Sequence, residues 1–516
     1  MVYPFYDILY IPLAPVAEAT SGKGTLSKKP STLPLNLRQA TAGVPLYRWW
    51  YEELRSAILS GNMLPGARLP ATRDLAAQYG LSRPTIVTAF ELLRSEGYVE
   101  GKVGSGTYVS KTLPDELLHV PRSVSRPQLH RRRVRLSTYA RNLTPLRRRD
   151  SPRIRAFRAN LPALDEFPTA LWAQIASRRL RHVSASLLAG GEALGYRPLR
   201  EAVAEYLNTS RGVKCAAEQV LIISGVQEAL NRAAHLLLDP GDPVWMEEPG
   251  YPGATLAFQS VGARICPVPV DAEGLNLEAG IERCPRPRMI YVTPGHQFPL
   301  GVTMSLSRRL SLLEWARRGR AIIFEDDYDS EYRYSGRPIP AMQGLDKSSA
   351  VIFAGSFSLV LFPSLRLGYV VVPPDMVDIF AAAASVSTHH PPLIDQAILC
   401  DFIREGHFAR HVRRMRQLYA ERLGVLMEAA RARLGSMLEI GNVEAGLRTV
   451  GWLAPGISAE RIAQEAAEHN VDVVPLSRYG TGRSPRNGLV LGFAAVGPRE
   501  LRRGVEKLAL LLEEGD

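Results

Sequence analysis

Two hydrophobic patterns divide the chain. Between residues 45 and 111, apolar residues recur at helical spacing: Ile86, Phe90 and Leu93 stand at positions i, i+4 and i+7, which predicts one buried helix face. From about residue 157, short apolar runs such as "MIYVT" and "AIIFEDD" alternate with helical patterns. This alternation predicts an α/β domain. At 516 residues the chain is too long for one compact domain, and we expect two or three folded units.

The shorter unit has the pattern of two helices joined by a tight turn. A helix is predicted over Thr72–Tyr79, Gly80 makes the turn, and Ser82 is placed to cap the second helix. Because the apolar positions face inward, the outer side of the second helix is polar. Its outer residues are Arg83, Thr85 and Thr88. This is the layout of a helix that reads DNA.

Two strands are predicted after the second helix. "YVE" and "TYVS" flank a glycine-rich tip formed by Gly104, Ser105 and Gly106, which predicts a wing. A further amphipathic helix is predicted near residues 45 to 59. Together these elements predict a winged helix-turn-helix over residues 45–111, although a helix pair alone is also compatible with a purely structural element.

Charge adds a linker to this organisation. The formal net charge is +12, and residues 120–158 carry thirteen arginines and one aspartate, so the whole surplus lies in this segment. Its prolines and charge runs give no helical or strand period, which predicts an extended linker over residues 112–156. Two interpretations stay open: a solvated spacer, or a segment that also contacts phosphates.

Composition excludes several classes of protein. The four cysteines form no CxxC pair, and the spacing of the histidines matches no ligand motif, so we expect neither a disulfide framework nor a metal site. The apolar N-terminal stretch lacks a basic start and the length to span a bilayer. We therefore expect residues 1–44 to be a poorly ordered leader, with no membrane association and a cytoplasmic location. The histidines whose spacing matches no metal-ligand motif are His296, His389, His390, His407 and His411.

Polar residues follow three of the predicted strands. Glu247 and Glu248 end "PVWMEE", Thr293 ends "MIYVT", and the run from Glu325 to Tyr328 ends "AIIFEDD". Open α/β sheets bind ligands just outside the carboxyl ends of their strands, so these polar groups are expected to converge on one edge. Earlier in the chain, "QVLIISGVQEALNRAAHLLL" predicts a strand, a tight turn and a helix whose N-terminus suits a phosphate.

The N-terminal block "PLYRWWYEELRSAILSGNMLPGARLPATRDLAAQYGLSRPTIVTAFELLRSEGYVEGKVGSGTYVS" resembles the winged helix-turn-helix of GntR-type transcription regulators along its full length. The resemblance implies binding to double-stranded DNA. Where the wider family often has another contact, this chain has Val87, and Arg68 is open to a structural role instead. The DNA-binding residues implied are Arg68, Arg73, Ser82, Arg83, Thr85, Thr88, Gly104, Ser105 and Gly106.

Four C-terminal blocks resemble the fold-type-I aminotransferase-like domain of the MocR subfamily of these regulators: "YVTPGHQFPLGVTMSLSRRLSLLEWA", "FEDDYDSEYRYSGRPIPAMQGLD", "GSFSLVLFPSLRLGYVVVP" and "FIREGHFARHVRRMRQLYAERL". The resemblance implies, over residues 157–516, a mixed, mostly parallel sheet with helices on both faces, a small C-terminal subdomain, and a homodimer. It implies that Asp326 pairs with the ring nitrogen of pyridoxal phosphate, Tyr328 binds the ring oxygen, Tyr251 stacks on the ring, and Gln297 lies near its polar edge. The phosphate ligands implied are Ser224, Gly225, Val226, Gln227, Ser356, Ser358 and Arg366.

The chain departs from this family at one central position. The family motif reads Ser-Lys-Thr, and here the residues are Ser358, Leu359 and Val360. Leucine has no amine, so the Schiff-base lysine is missing and ordinary transaminase activity is expected to be absent. Eight lysines stand against 55 arginines, and the sequence offers no substitute.

Two states of the domain are then open. In one, pyridoxal phosphate or its adduct with an amino compound binds without a covalent bond. In the other, Leu359 and Val360 fill the space beside the ring, and the pocket is empty or binds something else. The leading interpretation is a transcription regulator that senses a small-molecule effector. The alternatives are an aminotransferase with a DNA-binding appendage and a regulator with a vestigial, unliganded domain. An effector carboxylate has three candidate receptors: Arg478, Arg483 and Arg486.

Overall fold

The computed structural model describes residues 43–102, 106–113, 135–142, 153–335, 339–480 and 486–513. The chain divides into two compact units between residues 133 and 134. Within the described ranges, no helix has both the length and the apolar character needed to cross a membrane.

The first unit is three helices followed by an antiparallel hairpin. Its elements are α1 (Leu46–Leu59), α2 (Thr72–Tyr79), α3 (Arg83–Ser95), β1 (Val99–Lys102) and β2 (Gly106–Val109). Gly80 ends α2 in the left-handed conformation (φ 63°), where a side chain would be strained. The Ser82 hydroxyl accepts the Thr85 backbone N–H at 3.3 Å and so caps α3, as predicted. Ile86, Phe90 and Leu93 are buried, which confirms the predicted inner face.

The second unit contains fourteen described helices and twelve described strands. The helices are α4 (Thr138–Asn142), α5 (Thr169–Arg181), α6 (Ala185–Ala189), α7 (Arg197–Ser210), α8 (Val226–Leu237), α9 (Pro252–Ser260), α10 (Leu277–Arg283), α11 (Leu306–Gly319), α12 (Met342–Leu345), α13 (Val377–Val386), α14 (Leu393–Arg404), α15 (His407–Arg433), α16 (Ala459–Glu468) and α17 (Pro498–Glu513). The strands are β3 (Val220–Ile223), β4 (Pro243–Glu248), β5 (Arg264–Asp271), β6 (Gly274–Leu275), β7 (Met289–Val292), β8 (Ile322–Asp327), β9 (Val351–Ser356), β10 (Gly368–Val371), β11 (Leu438–Ile440), β12 (Arg448–Leu453), β13 (Val474–Pro475) and β14 (Gly488–Gly492).

Eight strands form the central sheet in the order β3-β10-β9-β8-β7-β4-β5-β6. The five neighbours from β9 to β5 run parallel, whereas β10 is antiparallel to both of its neighbours and β6 is antiparallel to β5. In β7 the side chain of Tyr291 packs into one hydrophobic cluster, while Ile290 and Val292 pack into another. Because helices cover both faces, both sets of alternating residues are apolar, which explains the continuous apolar run in the sequence. The predicted mixed, mostly parallel α/β sheet is confirmed.

A smaller antiparallel sheet, in the order β11-β12-β14-β13, follows the long helix α15. Its strand β12 begins at Arg448, whose side chain is 1% exposed. The small subdomain therefore supplies a buried cation to the site described next.

Candidate cofactor and effector site

The polar ends of three adjacent parallel strands meet at one edge of the central sheet. β4 ends in Glu247 and Glu248, β7 is followed by Thr293, and β8 ends in Asp326 and Asp327. Glu247 accepts the backbone N–H of Thr293 at 3.2 Å and its hydroxyl at 2.6 Å. The convergence expected from the strand order is therefore present.

Asp326 lies at the centre of this edge and is 4% exposed. Its Oδ2 accepts the hydroxyl of Tyr291 at 2.7 Å, whereas its buried Oδ1 has no hydrogen-bond partner. Burial, helped by the nearby carboxylates of Asp327 and Glu247, raises the pKa of Asp326 to about 7, although the Tyr291 hydrogen bond acts in the opposite direction. A buried acceptor without a partner is costly, so this oxygen fits a ligand that brings a protonated ring nitrogen.

A second group of residues lies at the start of α8. Gly225 precedes α8 with φ 141°, and a Cβ there would lie 3.5 Å from a guanidinium nitrogen of Arg366. No residue in the described part of the chain hydrogen-bonds or pairs with the exposed Arg366 side chain. Free N–H groups in the first turn of α8, which starts at Val226, and this cation together suit a phosphate.

Four predicted phosphate ligands already make hydrogen bonds within the protein: Ser224, Gln227, Ser356 and Ser358. The Ser224 backbone N–H donates to Glu228 Oε2 at 2.7 Å, and the Ser358 backbone N–H donates to Ser356 Oγ at 3.2 Å. Gln227 donates through Nε2 to the Gly253 carbonyl at 2.9 Å. The seven predicted phosphate ligands thus lie on two segments, 224–227 and 356–366, and Gly225 and Arg366 lie next to each other between them.

Tyr251 and Gln297 occupy different surroundings from each other. The Tyr251 ring meets Phe298 edge-on at 5.5 Å, and its hydroxyl lies 3.4 Å from Gln227 Oε1. The Gln297 amide donates to Pro249 O (2.9 Å), to Phe298 O (2.7 Å) and to Glu247 (3.2 Å). The Gln297 side chain therefore stabilises its own loop. The aromatic ring next to Tyr251 is that of Phe298.

Tyr328 is held from two sides. Its hydroxyl donates to the His296 carbonyl at 2.5 Å and accepts from Arg448 Nη2 at 2.5 Å. Burial raises the pKa of this hydroxyl, and Arg448 acts in the opposite direction. To bind a ring oxygen, Tyr328 would have to redirect its proton from the His296 carbonyl.

Sequence reasoning missed Arg448, Asn160 and Phe298. The Arg448 guanidinium lies 4.3 Å from the Phe298 ring centre and 4.9 Å from that of Tyr328, and Nη1 donates to Asn160 Oδ1 at 2.8 Å. Its Nε is buried without a partner. The sequence does show an arginine at the start of an apolar strand, but this pattern does not indicate where the guanidinium group lies in the fold.

The three arginines considered for an effector carboxylate are placed differently. Arg486 stacks on Trp452 at 4.6 Å and donates to Glu439 at 3.3 Å, so it is engaged elsewhere. Arg478 is exposed, and Arg483 lies outside the described residues.

Leu359 is half-buried and packs against the core cluster that includes Phe357 and Val360. Among the described residues, no three His, Cys, Asp or Glu side chains are grouped to hold a metal ion.

In the first unit the predicted DNA-facing residues are mostly exposed. Arg73 (81% exposed) pairs with Asp74 at 3.3 Å, and Arg83 and Thr88 are exposed on α3. Thr85 is half-buried against the Ser82 cap, at 2.8 Å between the hydroxyls. A Cβ on Gly106 would lie 3.1 Å from Arg68, so this arginine lies beside the wing; Gly104 and Ser105 lie outside the described residues.

Comparison with known proteins agrees with this division. Residues 161–508 match the family "Aminotransferase class I and II", and residues 46–109 match "Bacterial regulatory proteins, gntR family". The probable rhizopine catabolism regulatory protein MocR of Rhizobium meliloti is 43% identical over 90% of this chain and 94% of that protein. The chain belongs to the gntR-type regulators that carry an aminotransferase domain.

The chain is also similar to a further transcription regulator and to an aminotransferase of known structure. The HTH-type transcriptional regulator TauR of Rhodobacter capsulatus is 31% identical over 88% of this chain and 94% of that protein. The structure of LysN, an alpha-aminoadipate aminotransferase from Thermus thermophilus in complex with N-(5'-phosphopyridoxyl)-L-leucine, is 31% identical with a TM-score of 0.65, over 69% of this chain and 92% of that one. The second unit therefore has the fold-type-I aminotransferase architecture.

Replacing Asp326 by Asn should stabilise the regulator at neutral pH and have little effect in acid. Because burial raises the pKa of Asp326 from 3.8 to about 7, the folded protein binds this proton more tightly than the unfolded chain, and stability falls as the pH rises through that window. Asparagine still accepts from Tyr291 but does not titrate. Calorimetric unfolding temperatures should therefore diverge between about pH 4 and about pH 8. The exposed Asp378→Asn change is the control; equal pH slopes for Asp326→Asn and the native chain would contradict the assignment.

Proposed function

We propose that this protein is a bacterial transcription regulator whose second unit binds a small-molecule effector and does not turn it over. The proposal rests on Leu359, which the family resemblance places at the Schiff-base lysine position, in a domain that has Asp326 and Arg366. Pyridoxal phosphate supplies an electron sink for reactions of amino compounds, and enzymes that use it hold it through a lysine amine. Without that amine, binding and chemistry are separated in this chain.

Pyridoxal phosphate, or its adduct with an amino compound, is the proposed ligand, held without a covalent bond. The unpartnered Oδ1 of Asp326 suits the protonated ring nitrogen, and the Arg366 guanidinium beside Gly225 suits the phosphate. Two alternatives remain as outcomes of the test: an aminotransferase with a DNA-binding appendage, which Leu359 disfavours, and a regulator whose second unit is unliganded. The proposed location is the cytoplasm, on the nucleoid when DNA is bound.

Titration with pyridoxal phosphate tests the ligand proposal. The native chain should bind it without the absorbance band of an imine, and Leu359→Lys should gain that band. Arg366→Ala should weaken binding about 10- to 100-fold, since a hydrogen bond to a charged group contributes about 1.5–3 kcal/mol. Arg503→Ala removes an exposed arginine from α17 and should leave binding unchanged. If neither the native chain nor the lysine variant binds pyridoxal phosphate, the proposed cofactor site is closed to it and the effector is not a B6 compound.

DNA binding should depend on Arg83. This residue opens α3, it is exposed, and nothing in the described residues pairs with its guanidinium. Removal of one phosphate contact lowers the slope of log affinity against log salt by about 1. Arg83→Ala should therefore show a shallower salt dependence on a mixed-sequence duplex in fluorescence anisotropy, while Arg48→Ala on α1 should not. Equal slopes for both variants would place the DNA contact elsewhere.

A homodimer is part of the proposal. Helix α13 has the sequence VDIFAAAASV, yet only Phe380 and Ala384 are buried, while Ile379 is 50% and Val386 86% exposed. An apolar helix of this kind suits a subunit contact. Sedimentation of the full chain should give twice the 56.8 kDa monomer mass. Val386→Asp should dissociate the dimer, and Leu510→Asp, an exposed control on α17, should not. A monomeric native chain, or a Val386 variant that stays dimeric, would contradict this contact.

A further inference from the structure

A cavity of about 730 Å³ lies outside the site described above. The end of α7, the segment after β8 and the first turns of α15 form its walls, and no residue of the proposed cofactor site lines it. Arg211 separates the two: it lines the cavity, and its Nε donates to Asp327 Oδ2 at 2.8 Å, next to Asp326. A volume of this size is in the range of small-molecule sites.

One wall of the cavity is apolar and partly aromatic. Phe408 and Val412, one turn apart on α15, are 3% and 9% exposed, and the Tyr206 ring meets Phe408 edge-on at 5.2 Å. Ile403, at the end of α14, is half-buried beside them. This wall can therefore bury the apolar body of a ligand, including the face of an aromatic ring.

The cationic wall lies beside the apolar one, on the same helix α15 and at the end of α14. Arg413 is exposed, and within the described residues its guanidinium has neither a hydrogen bond nor an ion pair. Arg416 directs both Nε (3.0 Å) and Nη2 (2.8 Å) at the carbonyl oxygen of Glu331, a contact that fixes the guanidinium without neutralising it. Arg404 is paired with Glu201 at 3.0 Å and contributes less.

Carboxylates offset little of this charge. Glu331 is 8% exposed, its Oε1 accepts the Tyr206 hydroxyl at 2.7 Å, and its Oε2 has no partner. Burial raises the pKa of Glu331, and Asp327 acts in the same direction, while Arg211 and the Tyr206 hydrogen bond oppose this shift. Glu205, at the exposed side of α7, is the other carboxylate of the lining. Six arginines and these two carboxylates line the cavity, so its lining carries an excess of positive charge beside an apolar surface.

We propose that this cavity is a second binding site, which takes a small organic acid with an aromatic body. The carboxylate lies between Arg413 and Arg416, where two guanidinium groups supply charge-assisted hydrogen bonds. The ring packs on Phe408 and Val412. This site does not depend on pyridoxal phosphate, since it shares no residue with the proposed cofactor site.

Benzoate is the probe, measured by calorimetry and by saturation-transfer NMR on the full chain. Arg413→Glu should weaken benzoate binding at least tenfold, because one charge-assisted hydrogen bond is lost and a repulsive charge is introduced. Arg431→Glu makes the same change on an exposed residue at the other end of α15 and should have no effect. Arg366→Ala should also have no effect, because Arg366 lies in the cofactor site.

Three results would overturn the proposal. The first is that benzoate does not bind the native chain. The second is that benzoate binds the Arg413→Glu variant as tightly as the native chain. The third is that Arg366→Ala abolishes benzoate binding. The last result would show that the acid enters the proposed cofactor site. Circular dichroism of the Arg413 variant controls for folding, and Tyr206→Phe gives a second variant that leaves the cationic wall intact and should retain binding within about threefold. Failure of the pyridoxal phosphate titration would leave this test unaffected.

Discussion

The cost of burying acidic side chains organises the second unit. Five carboxylates lie within the carboxyl edge of the sheet or directly after it, and each is at most 6% exposed: Glu247, Glu325, Asp326, Asp327 and Asp329. Buried charges without partners are strongly unfavourable, so each carboxylate has to find donors or take up a proton. Burial raises the pKa of Glu247, Glu325 and Asp326 to about 7 in each case.

The groups that hydrogen-bond or pair with these carboxylates come from helices, loops and the small subdomain around that edge. Glu325 accepts two backbone N–H groups at the start of α12, at 2.8 and 2.9 Å. Asp327 pairs with Arg211, the residue that follows α7, and Asp329 lies 3.0 Å from His296 Nδ1 and 4.0 Å from Arg448 of the small subdomain. Among these five, Asp326 alone retains a buried oxygen without a partner. This unpartnered oxygen is the feature on which the proposed ligand site depends.

Binding and chemistry are separable in such a site because they depend on different residues. In the proposed site, the phosphate and ring-nitrogen contacts would come from the sheet edge and the start of α8, whereas covalent capture would need an amine at residue 359. With a leucine there, the proposal separates binding from reaction while the surrounding fold is kept. An effector can then regulate only through unequal affinity for two arrangements of the protein, since equal affinity shifts no equilibrium.

The sequence alone determined the local elements and their class. Periodicity and the Ser82 cap located α3, and apolar runs located β3, β4, β7 and β8, because these signals depend on neighbours along the chain. The rule that parallel strands present their carboxyl ends together was enough to gather Glu247, Thr293 and Asp326. Tertiary structure alone decided that Arg448 lies against Phe298 and Tyr328, that Gln297 is engaged in its own loop, and that Glu331 borders a cationic cavity. Those contacts join residues more than a hundred positions apart or depend on the direction of a long side chain, and neither is encoded in a local hydrophobic period.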